Sequence, residues 1–139
     1  KLSMVGGKRS RRTLAWALDF RKNNMKQISN RAVIIVRPKS PFVEWVQNSD
    51  DESKHITAGD IAQEPNVYLV NDYEMEDEKD QLLKDNYKDI FEEELNGWVT
   101  DETMWPKKRD LKTFMEWFHV DFHSMVFDLS EEDYIIDEY

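Results

Sequence analysis

Arg31-Ala-Val-Ile-Ile-Val-Arg37 decides how the rest of this chain is read. Five consecutive apolar residues, four of them β-branched, stand between two arginines and are bounded by Asn30 and Pro38. β-Branched side chains are stiff about χ1 and fit a pleated surface, so the run reads as a strand. Its lack of alternation predicts cover on both faces and a central place in a sheet.

Working outward from that strand, Ser40-Pro41 offers an N-cap followed by proline at the first helical position. Phe42, Trp45 and Val46 then recur at helical spacing as far as the polar stop Gln47-Asn48-Ser49-Asp50. Thr57-Ala-Gly-Asp60 resembles a capping box and predicts a short helix through Ile61 and Ala62, ended before Pro65. Val67-Tyr68-Leu69-Val70 reads as a second strand. After the acidic stretch from Asp72 to Asp80, Asp77 can cap a long helix near residues 78–95. Leu83, Tyr87, Ile90, Phe91, Leu95 and then Trp98 mark its inner face, and Asn96-Gly97 marks its end.

Trp105-Pro106 enforces extended backbone, since the residue before proline is pushed out of the helical region. Asp110 can cap a further helix with Leu111, Phe114, Met115 and Phe118 facing inward, and a last strand is predicted near residues 123–129. The order strand, helix, helix, strand, helix, helix, strand gives an α+β domain: a small, about three-stranded sheet packed with three to four helices.

Bulk properties bound the function. The chain of 139 residues suits one core rather than two. It contains no Cys, which removes disulfide frameworks, thiol nucleophiles and thiolate zinc sites and suits a cytoplasmic protein. The longest apolar runs, residues 32–36 and 67–70, fall far short of the roughly 20 residues a membrane-spanning helix needs, so no membrane partner is expected.

The chain's 19 Lys/Arg and 29 Asp/Glu are divided unevenly. Residues 1–39 hold 11 basic groups against Asp19 alone, +10, leaving 8 basic and 28 acidic groups in residues 40–139, −20. Residues 1–24 therefore read as a basic N-terminal extension or a cloning remnant, and residues 25–139 as a single acidic domain, with Met25 a plausible start. Within the extension, Lys8-Arg-Ser-Arg-Arg12 could contact phosphates, and Thr13 to Phe20 could form one or two helical turns.

Three stretches resemble a family of small uncharacterised bacterial proteins over roughly residues 30–130. They are Asn30 to Phe42 with Trp45, Glu92-Glu-Glu-Leu-Asn-Gly-Trp98 through Trp105-Pro106, and Glu116-Trp-Phe118 with His123-Ser-Met125. The resemblance implies a domain of unknown function and brings no activity, cofactor or site residue.

Candidate chemistry is sparse. His119 and His123 would share a helical face, as zinc ligands do, but Val120 stands where a zinc-protease helix carries its general-base Glu. On a strand, His119, Asp121 and His123 share a face, with the two histidine Cα atoms about 13 Å apart, too far to chelate one ion conveniently. Ser124 beside His123 would point to the opposite face of a strand and cannot pair with it as a nucleophile. Trp98, Trp105 and Trp117 could line an apolar or sugar-binding pocket, or simply fill the core. No metal or cofactor is assigned.

Three functions follow. The first is a noncatalytic acidic interaction module that binds a basic protein, with a homodimer as a further arrangement. The second is a metal-dependent enzyme using His119, Asp121 and His123. The third is nucleic-acid binding through the basic arm, disfavoured because an acidic body repels phosphate.

Overall fold

The computed structural model describes residues 25–138; the basic cluster and the short helix expected over Thr13 to Phe20 lie outside them. In chain order the elements are β1 (Lys26–Gln27), β2 (Arg31–Pro38), α1 (Ser40–Gln47), a 3-10 turn (Glu52–His55), α2 (Ala58–Ala62), β3 (Val67–Asn71), α3 (Glu78–Asn96), a second 3-10 turn (Glu102–Met104), α4 (Leu111–Trp117), β4 (Phe118–His123) and β5 (Phe127–Asp128). The expected α+β class is thereby met. An antiparallel sheet of order β3-β2-β4 forms the main layer, and β1 pairs with β5 in a separate two-stranded ladder.

The central strand is β2, as its composition predicts, but it is covered on one face only. Ala32, Ile34 and Val36 are buried, whereas Val33 and Ile35 are half-buried and Arg31 and Arg37 exposed. Register explains the asymmetry. Ile34 stands opposite Tyr68 on β3 and Phe122 on β4, and Val36 opposite Val120, giving an inner layer on which the helices pack. Val33 and Ile35 stand between Leu69, Val67, His123 and Asp121 on the outer face, where no described element covers them.

Beneath the inner face lies an aromatic cluster. Phe118 is fully buried, with ring centroids 4.9 Å from Phe42, 5.1 Å from Phe114 and 5.5 Å from Phe91. This residue joins two periodicities. It follows Phe114 at i+4, yet its backbone is already extended (φ −137°, ψ 145°), so α4 passes into β4 without a loop. The strand expected near 123–129 accordingly begins earlier, at Phe118, and only Phe127–Asp128 pairs in the later region. Met115, expected inside, is 40% exposed, because the helix ends before a second apolar turn can form around it.

Caps differ in detail from expectation. Thr57 and Asp60 form the reciprocal capping box: Thr57 Oγ1 accepts from Asp60 N at 3.0 Å, and the Asp60 carboxylate accepts from Thr57 N at 2.9 Å. Asp110 caps α4 by accepting from Thr113 N at 2.8 Å. Lys39 rather than Ser40 is the N-cap of α1, with Ser40-Pro41 already helical, and Asp77 makes no side-chain cap bond on α3. Instead the Glu78 carboxylate reaches back to accept from Glu74 N at 2.7 Å.

Gly97 ends α3 in a right-handed conformation (φ −64°, ψ −22°), not the left-handed one that glycine alone tolerates. A Cβ there would lie 3.6 Å from the carbonyl oxygens of Glu93 and Glu94, an ordinary contact. Gly97→Ala is therefore expected to stabilise the domain by about 0.4–1 kcal/mol through the unfolded chain's lost freedom, measured by urea denaturation; a loss of stability would contradict this.

Candidate functional site

The sequence-derived candidates fall on different surfaces. His119, Asp121 and His123 share the outer face of β4, each exposed, as the strand reading requires. Asp121 forms an ion pair with Arg37 of the neighbouring strand, both side chains being 48% exposed. Among the described residues no group of three or more His, Asp or Glu is arranged to hold a metal ion. The metal-dependent alternative thus gains no support. Ser124, which follows His123, is 1% exposed and points inward, away from the histidine.

The three tryptophans occupy three environments. Trp105 is buried and donates its indole N–H to the Val99 carbonyl at 2.7 Å, with the Arg109 guanidinium 5.7 Å from its ring centroid. Trp117 is half-buried at the edge of the aromatic cluster, 5.6 Å from Phe91 and 6.3 Å from Phe42. Trp98 is 41% exposed and lines a cleft of about 400 Å³ formed where α2, the loop entering β3 and the end of α3 meet.

That cleft holds the most perturbed chemistry of the described residues. Glu94 on α3 is only 9% exposed, although glutamate is among the residues least often buried. Its Oε2 accepts hydrogen bonds from the Tyr68 hydroxyl at 2.5 Å and the Asn66 amide at 2.6 Å, and Oε1 takes none among the described residues. Burial pushes the Glu94 carboxyl above the ordinary glutamate range, outweighing the lowering effect of those two hydrogen bonds, while the charge of Glu93 raises it further. Burial above all, then the bond to Glu94, pushes the Tyr68 phenol upward, so Tyr68 remains a donor throughout the physiological range.

Local sequence places each member. Asn66 follows Pro65 at the entry to β3, and Tyr68 lies on the inner face of that strand opposite Ile34. Glu94 lies in the last turn of α3 and Trp98 just beyond its Gly97 C-cap, and both line the cleft at that terminus. The cleft is also lined by Asp60 and Glu64, and its lining contains no Lys, Arg or His. A larger concavity of about 740 Å³ lies between α1 and α2, where Lys39, Glu44, Glu116 and His119 are all exposed or half-buried. It is roomier, but it offers no desolvated charge, and the Lys39 ammonium is held by the Met115 carbonyl at 2.8 Å.

Glu94 and its partners are absent from the sequence-derived candidates. The available signal was one acid on an otherwise apolar helical stripe, at i+4 from Ile90, i+3 from Phe91 and i−4 from Trp98. No family model, curated protein or solved structure matches this chain. No helix among the described residues is long and apolar enough to cross a membrane.

Proposed function

We propose that this protein is a noncatalytic acidic interaction module that binds a basic partner, receiving a lysine or arginine side chain of that partner in the Glu94 cleft. The observation that carries the reading is the buried carboxyl of Glu94, held by two neutral donors with no cation lining its cleft. A desolvated carboxylate attracts an ammonium or guanidinium group far more strongly than an exposed one does. The half-exposed indole of Trp98 adds a face for the cation and for its aliphatic stem. The formal −20 of residues 40–139 supplies a long-range field that steers a basic surface towards the cleft. We further place the protein in the bacterial cytoplasm, within the family it resembles.

Calorimetric titration with an unstructured octapeptide of alternating Lys and Gly, and its Arg counterpart, tests the reading. Binding is expected with a Kd on the order of 10–100 μM at low salt, weakening as ionic strength rises. Glu94→Gln and Trp98→Ala should each weaken it about tenfold, the range of one charge-assisted or cation–π contact. Equal binding by Glu94→Gln would overturn the assignment of the cleft.

A further inference from the structure

The described residues expose two aliphatic surfaces of opposite charge. The first is the outer sheet face, where Val67 and Leu69 are 60% and 55% exposed and Val33 and Ile35 half-buried beside them. Arg31, Arg37, His119 and His123 border this strip, with Asp121 as its one acid, so the face departs from the strongly acidic character of the rest of the domain. The second is the segment from Leu129 to Glu138, where Tyr134, Ile135 and Ile136 are 65%, 90% and 79% exposed. Glu131, Glu132 and Asp133 precede that triplet, and Asp137 and Glu138 follow it, with no basic residue among them.

Among the described residues nothing covers either surface. The segment leaves β5 on the side of β1, where Tyr134 and Ile136 share a shallow groove with Lys26 and Ile28 while most of their area stays in water. Exposed apolar groups in this density mark interaction surfaces rather than ordinary monomer surface. The two also match in kind: an acid-flanked segment carrying Ile135 and Ile136, outside any helix or strand of its own, fits an aliphatic strip bordered by arginine and histidine. Ten extended residues reach about 33 Å, more than the roughly 26 Å length of an eight-residue strand such as β2.

We infer that the outer face of the β3-β2-β4 sheet receives residues 129–138 of a second copy of this chain, in a reciprocal twofold dimer that covers both surfaces at once. Each protomer then offers its segment and its sheet face to the other, so both contacts form about one axis. The inference is independent of the Glu94 cleft, which faces the opposite side of the sheet.

Sedimentation equilibrium of the full chain provides the test, with Leu69→Asp altering the face and Ile135→Asp the segment. Both positions are more than half exposed, so thermal melts of the variants at high dilution, where the dimer is dissociated, should match the parent. The parent is expected to be dimeric near ~100 μM, and each variant should raise the dimer dissociation constant at least about tenfold. An equimolar mixture of the two variants keeps one intact face and one intact segment, and should form heterodimers more readily than either variant self-associates. A parent that stays monomeric throughout overturns the inference, as does a dimer lost in Leu69→Asp but retained in Ile135→Asp. The latter result would make the face an interface with a different occupant.

Discussion

Phe118→Ala is expected to cost about 3–5 kcal/mol of folding stability, the largest effect of any single truncation in this domain. The ring is fully buried, lies within 5.5 Å of three other phenylalanine rings and stands at the point where α4 becomes β4. Truncation removes the apolar transfer term and leaves a cavity among rings that belong to α1, α3 and α4, which cannot all collapse into it. Against a total stability of about 5–15 kcal/mol, the melting temperature should fall by roughly 10–20 °C. Met115→Ala, three residues earlier in the last turn of α4 but 40% exposed, should change stability by no more than about 0.5 kcal/mol. Urea denaturation of the two variants measures the contrast. Comparable losses would mean that the Phe118 cluster is not the hub of the core.

Phe118 also shows what the sequence made legible and what it hid. Apolar residues at 111, 114, 115 and 118 fit a helix that continues past 118, and the run Phe118, Val120, Phe122 fits a strand that starts there. Both periods pass through the same residue, so local pattern alone cannot place the boundary. The pairing of β4 with β2 decides it, because Val120 and Phe122 stand opposite Val36 and Ile34 and extend the inner layer. The identity of the central strand, the Thr57–Asp60 capping box, the Asp110 cap and the long helix were readable because each depends on neighbours within about four residues, whereas the caps expected from Ser40 and Asp77 did not form.

Tertiary facts were less readable. An unalternating β-branched run normally signals a strand sandwiched between layers, yet here no described element covers the outer face, which carries charge on the flanking strand. The alternation that betrays a one-sided sheet is present in β4, as His119, Asp121 and His123, and was visible in the sequence as a shared strand face. What it could not disclose was that β4 is the neighbour of β2, and so that Val33 and Ile35 share the same exposed side. Glu94 was hidden for a related reason. Its meaning depends on Tyr68 and Asn66, which lie 26 and 28 residues away in the chain.

Glu94 itself supplies the other large and directional expectation. Its carboxyl binds a proton more tightly in the folded protein than in the unfolded chain, where the ordinary value is 4.5. The native state therefore gains stability from this group below pH 4.5 and loses that gain as pH rises through the folded value, so at neutral pH the ionised, buried carboxylate is a net cost. Glu94→Gln keeps an acceptor for the Tyr68 hydroxyl and the Asn66 amide while removing the charge. It is expected to be more stable than the parent by about 1 kcal/mol or more at pH 8, with the margin closing as the pH approaches 4.5. Glu94→Ala removes the acceptor as well and should instead cost about 1–3 kcal/mol, because two donors lose their partner. Chemical denaturation of all three proteins across this range separates the terms. A Gln variant that is less stable at pH 8, or a difference that does not move with pH, would remove the argument that the carboxylate is retained at the expense of folding. If the ordering holds, the substitution that most improves the fold is also one expected to weaken the cleft's hold on a basic side chain, which is the pattern of a group kept for binding rather than for stability.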